Sequence, residues 1–252
     1  MIHPFNSFFD KIYVISIKRN KQRLDAFLKE NIFLNIEVFE GVDGIDLFPQ
    51  LEHVWMFPKE YFLENGLSYD DCCRWNKGQL GCAISHLSAQ KSIVENGFRK
   101  VLILEDDALI DESRINYFKN AIQEIPENWD LFYLGYNTIS RWSENRHTKL
   151  LLKIKHLLMP TNIDGLSSSD FNKQFFSKSF SKNLNIPGVY GGTHAYAISY
   201  EGAKKIIDIS TPLQYASDTT LMYANYHKLI NSYSMKKQII IPNSIYPSTL
   251  IN

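Results

Sequence analysis

Apolar and polar positions along the chain fall into short runs whose period switches between strand and helix. Residues 11–17, KIYVISI, are a continuous β-branched apolar run, the pattern of a strand buried in a parallel sheet. A polar cluster follows, then a helical stretch carrying Leu24, Phe27 and Leu28. Residues 36–40, IEVFE, predict a second strand, broken by Gly41-Val42-Asp43-Gly44. Residues 45–77 are aromatic and irregular. From Gly78 to Asn96, Leu80, Ala83, Ile84 and Leu87 recur at helical spacing, with Gly97 as the stop. Strands are predicted at 100–104 (KVLIL), at 129–134 (WDLFYL), in GGTHAYAIS before a helix starting near Tyr200, and at 238–241 (QIII). Strands alternating with helices imply βαβ units, hence an α/β fold with a mostly parallel central sheet flanked by helices. No repeat and no sharp boundary interrupts the chain. The expected organisation is a single domain over 1–252 with a variable insertion at about 137–188, where clear periods disappear.

Composition narrows the function classes. A chain of 252 residues, 44% hydrophobic and 21% charged, suits a soluble globular domain. Its 27 basic and 27 acidic residues cancel, which argues against a nucleic-acid partner. The 16 Phe and 14 Tyr fit a ring-rich core as well as a carbohydrate site, so the count alone decides nothing. Cys72, Cys73 and Cys82 have no metal-ligand spacing and do not suggest a disulfide framework, so a reducing, cytoplasmic setting is expected. The N-terminus lacks the pattern of a signal peptide, and no run reaches the roughly 20 apolar residues that span a bilayer. Residues 146–158, RHTKLLLKIKHLL, mix cations with leucines. They read either as an ordinary amphipathic element over the sheet or as peripheral contact with the inner face of the cell membrane.

The central chemical signal is Glu105-Asp106-Asp107 directly after the strand VLIL. Ligands of open α/β sheets bind at the carboxyl ends of strands. Three adjacent carboxylates repel one another unless a cation neutralises them, and Mg²⁺ or Mn²⁺ takes carboxylates together with substrate phosphates. With strand geometry, Glu105 and Asp107 project to one side. The plainer alternative is a solvated acidic turn. Lys18-Arg19 after the first strand is the better diphosphate candidate, and Arg23 reads as a phosphate contact or, more readily, as a surface ion pair. On the helix, Gln79, His86 and Gln90 lie on one side; Ser85 and His86 either reach a ligand or bond within the fold, and Cys82 reads as a small buried filler. Gly191-Gly192-Thr193-His194 allows close backbone approach, with His194 a ligand contact or a structural histidine. Ser217 or Asp218 fits a helix N-cap as well as a functional carboxylate.

Taken in order, IYVISIKRNKQR, FEGVDG, KGQLGCAISHLSAQKSI, VLILEDDALI, WDLFYLGY and GTHAYAISYEGAKKI resemble glycosyltransferase family 25, the lipopolysaccharide and lipooligosaccharide sugar transferases related to collagen galactosyltransferases. The resemblance covers about residues 11–140 and 190–225. It implies a GT-A-like nucleotide-sugar-binding fold, an inverting mechanism, a UDP-sugar donor that is commonly UDP-galactose, and a saccharide or glycolipid acceptor. It makes Glu105 and Asp107 the acid-x-acid pair that holds Mn²⁺ or Mg²⁺, with Asp106 beside them. It sets Ile15, Ser16, Asp43 and Gly44 under the nucleotide, and it puts Asp218 near the acceptor as general base, with His194 next. The ending YPSTLIN departs from the Ser-Asp-Ile-like tail of the family, and residues 141–182 carry no family motif. Two rivals are a Mg-dependent phosphoryl or nucleotidyl transferase, which would normally show a phosphate-cradling Gly-rich loop that this chain lacks, and a non-catalytic sugar-nucleotide-binding protein, against which the intact acidic triplet speaks.

Overall fold

The computed structural model describes residues 2–47, 54–55, 74–75, 77–138, 154 and 176–243. In chain order the first half contains α1 (Pro4–Phe8), β1 (Lys11–Ser16), α2 (Lys21–Glu30), β2 (Ile36–Glu40), α3 (Gly44–Leu47), β3 (Val54–Trp55), β4 (Arg74–Trp75), α4 (Lys77–Asn96), β5 (Lys100–Glu105) and β6 (Ala108–Ile110). The second half contains α5 (Ile115–Ala121), β7 (Leu131–Tyr133), β8 (Asn137–Thr138), β9 (Lys178–Ser179), β10 (Leu184–Ile186), β11 (Tyr190–Gly191), β12 (Ala195–Ser199), α6 (Tyr200–Ile209), α7 (Ser217–Tyr226), β13 (Ser232–Met235) and β14 (Ile240–Pro242).

Among the described residues, eight strands form the main sheet in the order β2-β1-β5-β12-β7-β13-β10-β9. The β2-β1-β5 portion is parallel, as βαβ units demand, and β7 and β13 are also parallel. β12 enters reversed between β5 and β7, and β10 and β9 add antiparallel pairings at the far edge, so the sheet is mixed. The alternation of side chains explains the near-continuous apolar runs. Ile12, Val14, Leu102, Leu104, Ala195, Ala197 and Phe132 join the core that α1, α2 and α5 cover. Tyr13, Ile15, Val101, Ile103, Tyr196, Ile198 and Tyr133 join the core beneath α4 and α6. Each central strand is therefore buried on both faces, and each fully buried large apolar side chain contributes about 1.5–3 kcal/mol.

Local chemistry sets the helix ends. Ser199 caps α6 by accepting from the Gly202 N–H at 3.0 Å. Gly97, at φ +69°, ends α4 in the left-handed conformation that glycine tolerates. Where α3 crosses α4 the backbones nearly touch: a Cβ on Gly44 would stand 1.7 Å from the Lys77 carbonyl oxygen, and one on Gly81 2.5 Å from that of Val42. Only glycine fits either position, so the turn after β2 is locked to the start of α4.

Three predictions need amendment. The strand expected at 238–241 lies outside the main sheet, because β14 pairs with β6 and braces the acidic turn through the Asn243 N–H on the Asp107 carbonyl at 2.7 Å. β13 carries serines at alternate positions, so its apolar signal is weak and it was not foreseen. Residues 178–179 and 184–186, assigned by sequence to the variable insertion, form the sheet edge, with Leu184 fully buried. Most of 45–77, nearly all of 146–158, Cys72, Cys73 and the YPSTLIN ending lie outside the described residues. Among the described residues no helix is long and apolar enough to cross a membrane.

Candidate active site

Register brings the chemistry together. Ile15 stands opposite Glu105 at the carboxyl ends of the parallel strands β1 and β5, and the Glu105 N–H donates at 3.0 Å to the carbonyl of His194, the residue just before β12. A cleft of about 80 Å³ opens at these strand ends. Every residue predicted to hold the donor lines it except Lys18, and Asp107 lines it as well. The Lys18 ammonium is 83% exposed and pairs with Glu40 at 3.0 Å.

Many polar groups of this cleft are already engaged by the chain. Asp106 is buried, accepting from the Ser16 hydroxyl at 2.5 Å and pairing with the Arg23 guanidinium. Arg23 also lies 3.8 Å from Asp107. Its side chain is only 12% exposed, so the arginine expected on the surface is instead the cation inside the acidic cluster. Arg19 pairs with Asp43 at 3.0 Å, and the Asp43 carboxylate accepts from the Ile45 N–H at 3.0 Å. Ser85 accepts from the Val42 N–H at 2.7 Å and donates to the Gly81 carbonyl at 2.6 Å, tying the turn after β2 to α4.

The three carboxylates sit in different environments. For Glu105, burial favours the neutral form, but hydrogen bonding and charge from His86 and the Thr193 hydroxyl outweigh it and hold the pKa below the ordinary value. Thr193 donates to Glu105 at 2.6 Å, and His86 Nε2 lies 3.4 Å away. Burial and then the Glu105 charge push Asp107 up to about 6. Burial also raises Asp106, against the opposing effects of Ser16 and Arg23. One Asp107 oxygen, Oδ1, is buried with no hydrogen-bond partner. An orphaned carboxylate oxygen beside a second carboxylate fits the all-oxygen preference of Mg²⁺ or Mn²⁺, so Glu105 and Asp107 suit a divalent cation.

A second cleft, of about 230 Å³, lies on the other side of the β5 end. Both His194 and Asp218 line it, as do Thr193, Ser217 and Asn137. Asp218 is not the N-cap of α7, a position that falls on Ala216. Its carboxylate accepts from the Gly192 N–H at 3.1 Å and the Thr219 N–H at 2.8 Å, anchoring the glycine turn before β12. His194 is buried, and that burial lowers its pKa. Cys82, Glu105 and Asp107 line both clefts and form the wall between them.

Several contributors escaped the sequence reading. Cys82, expected as a buried filler, is half-buried and faces both clefts. Thr193 and Tyr196 gave no separate signal. Tyr196 stands on β12 with its hydroxyl 3.0 Å from His86 Nδ1 and accepting from Gln90 at 3.1 Å. The side of the helix read as Gln79, His86 and Gln90 thus divides: His86 and Gln90 meet Tyr196 in the interior, and Gln79 lines the second cleft. In His86 itself, burial disfavours the charged form, yet Tyr196, Cys82 and Glu105 raise its pKa well above the ordinary histidine value.

The α/β sheet thus carries clustered carboxylates at a strand end, flanked by two clefts. The profile of "Glycosyltransferase family 25 (LPS biosynthesis protein)" matches residues 9–221, and the chain belongs to that family. Procollagen galactosyltransferase 2 of Mus musculus is 25% identical over 271 residues, covering 98% of this chain and 36% of its own length; the Homo sapiens protein of that name gives the same identity and coverage. The human "Inactive glycosyltransferase 25 family member 3" is 25% identical over 218 residues, 82% of this chain and 30% of its own. The chain thus spans about a third of the length of the curated relatives it matches. A solved glycosyltransferase involved in the glycosylation of the major capsid of PBCV-1 aligns over 94% of both chains at 8% identity with a TM-score of 0.40, a likeness too slight to bear on function.

Proposed function

We propose that this family 25 chain is an inverting glycosyltransferase, moving a sugar from a UDP-sugar to a saccharide or lipooligosaccharide acceptor to form a β-linkage. The observation that carries the reading is the pair of clefts sharing Glu105 and Asp107 as a common wall, one cleft for each reactant. Galactose is the proposed sugar, supported by the similarity to the procollagen galactosyltransferases.

In this reading a divalent cation held by Glu105 and Asp107 supplies positive charge against the diphosphate of the departing UDP. Arg19 and Arg23 line the same cleft and add fixed cationic charge there. Across the shared wall, Asp218 is the proposed base for the acceptor hydroxyl. A carboxylate has about four acceptor sites. Its backbone bonds therefore leave capacity for a proton from the attacking oxygen. Proton removal on the face opposite the leaving group suits a single displacement with inversion.

Chelation should abolish both transfer and tight donor binding by calorimetry, and Mn²⁺ or Mg²⁺ should restore them. Asp107→Asn should weaken metal binding and donor binding together. Full transfer in excess chelator would remove the cation from the mechanism. The similarity to family 25 relatives named as inactive favours one second reading, donor binding without turnover. Slow hydrolysis of UDP-galactose without acceptor would exclude it. Peripheral contact with the inner membrane through Lys149, Lys153 and Lys155 is proposed from the sequence alone. It predicts flotation with anionic liposomes that added salt reverses.

A further inference from the structure

We infer that Cys82, His86 and Glu105 form a site for a thiophilic divalent cation of the Zn²⁺ class, distinct in chemistry from the all-oxygen pair Glu105 and Asp107. Cys82 and His86 stand four residues apart on α4 and so face the same way. One ligand atom from each of the three side chains lies within 4.8 Å of the other two. His86 is 1% exposed, and its Nε2 is buried without a hydrogen-bond partner, 3.4 Å from Glu105 Oε1. Its contact with that carboxylate is long, and a bound ion would give the buried ring nitrogen a close partner.

The three groups are also held from behind. Histidine ligands of metals characteristically bond a partner through the second ring nitrogen, which fixes the ring. Here His86 Nδ1 meets the Tyr196 hydroxyl at 3.0 Å, and Gln90 holds that hydroxyl in turn. The Thr193 hydroxyl fixes Glu105 at 2.6 Å. Ligand bonds of about 2.0–2.3 Å put the donor atoms of a tetrahedral zinc roughly 3.3–3.6 Å apart. Closing from the observed spread thus needs side-chain movements of about an ångström. Thiolate and imidazole select Zn²⁺ over Mg²⁺ or Mn²⁺, and binding releases two protons to solvent, one from the Cys82 thiol and one from the His86 imidazolium. Cys82 and Glu105 line both clefts, so the fourth position opens toward exogenous ligand. One consequence rests on the transferase reading: an ion bound here occupies Glu105 and opposes loading of the hard cation with the donor.

The test uses the full chain carrying Cys72→Ser and Cys73→Ser, so that any thiolate signal comes from Cys82. Co²⁺ titration should give one equivalent with a thiolate-to-cobalt charge-transfer band and the strong visible bands of a tetrahedral ion, and Zn²⁺ should displace it. Adding Cys82→Ser should remove the charge-transfer band. It should also weaken Zn²⁺ binding by at least the roughly 10- to 100-fold that loss of even a supporting residue costs. His86→Gln should weaken it similarly, with thermal melts showing that each variant is folded. Asp107→Asn should keep the band. Absence of the band in the folded parent, or Zn²⁺ affinity in Cys82→Ser within about threefold of the parent, overturns the site. Mn²⁺-dependent donor binding without the cobalt band would leave the transferase reading standing and remove this one; the band without donor binding would do the reverse.

Discussion

The two clefts that meet at the end of β5 are made differently. The first draws on a stretch from Ile15 to Asp107, on elements that follow one another through the parallel half of the sheet. Many of its charges are paired before any ligand arrives: Arg23 with Asp106, Arg19 with Asp43, Ser85 with the turn after β2. The second gathers Gln79, Asn137, Thr193, Asp218 and Pro242 from distant parts of the chain, around a turn that Asp218 holds. The contrast teaches that the first cleft rests on charge pairs internal to the fold, whereas the second is assembled around a carboxylate held by backbone N–H groups. Damage to the first should appear first in stability, and damage to the second in turnover.

The largest expected effect comes from Asp218→Asn. Loss of a general base lowers kcat by roughly 100- to 10,000-fold, about 3–5.5 kcal/mol of barrier. Donor affinity by calorimetry should barely move, and stability should fall by only about 1 kcal/mol for the weakened anchoring of Gly192. A variant with wild-type kcat removes the base assignment, and one that fails to fold assigns Asp218 to anchoring alone.

Arg23→Met should act the other way. The Asp106 side chain is 1% exposed, and stripping one partner from a buried pair costs about 3–5 kcal/mol. Chemical denaturation should show that loss even without ligands. A variant of unchanged stability would break the contrast, since it would mean that the first cleft does not depend on its internal pairs. Lys18→Ala should give the smallest effect. Its exposed pair with Glu40 is worth less than about 1 kcal/mol. Because Lys18 does not line the cleft, UDP-sugar affinity should change by no more than about threefold, within roughly 0.6 kcal/mol. A tenfold loss would return Lys18 to the donor site that the sequence first suggested.

Legibility followed the same divide. β1 and β5 were readable because both-face burial writes uninterrupted apolar runs, and α4 because its apolar residues recur at helical spacing and Gly97 marks its end. The acidic triplet was readable because carboxylates after an apolar strand are chemically conspicuous. Arg23 was misread since nothing local distinguishes an arginine on an exposed helix face from one folded inward over Asp106 and Asp107; that distinction depends on the β1–β5 register. Thr193 and Tyr196 matter through partners 88 to 110 positions away, which no periodicity records. β13 hid its strand character because two of its four residues are serines, buried without an apolar signature.

Because Cys82, Glu105 and Asp107 belong to both clefts, whatever one ligand does to these side chains alters the free energy of the other. Linkage requires that influence to be equal in the two directions. An acceptor that sharpens donor affinity by some factor must find its own affinity sharpened by that same factor. On the proposed reading, order of arrival then becomes a matter of rates, while both equilibria remain tied to a single coupling energy.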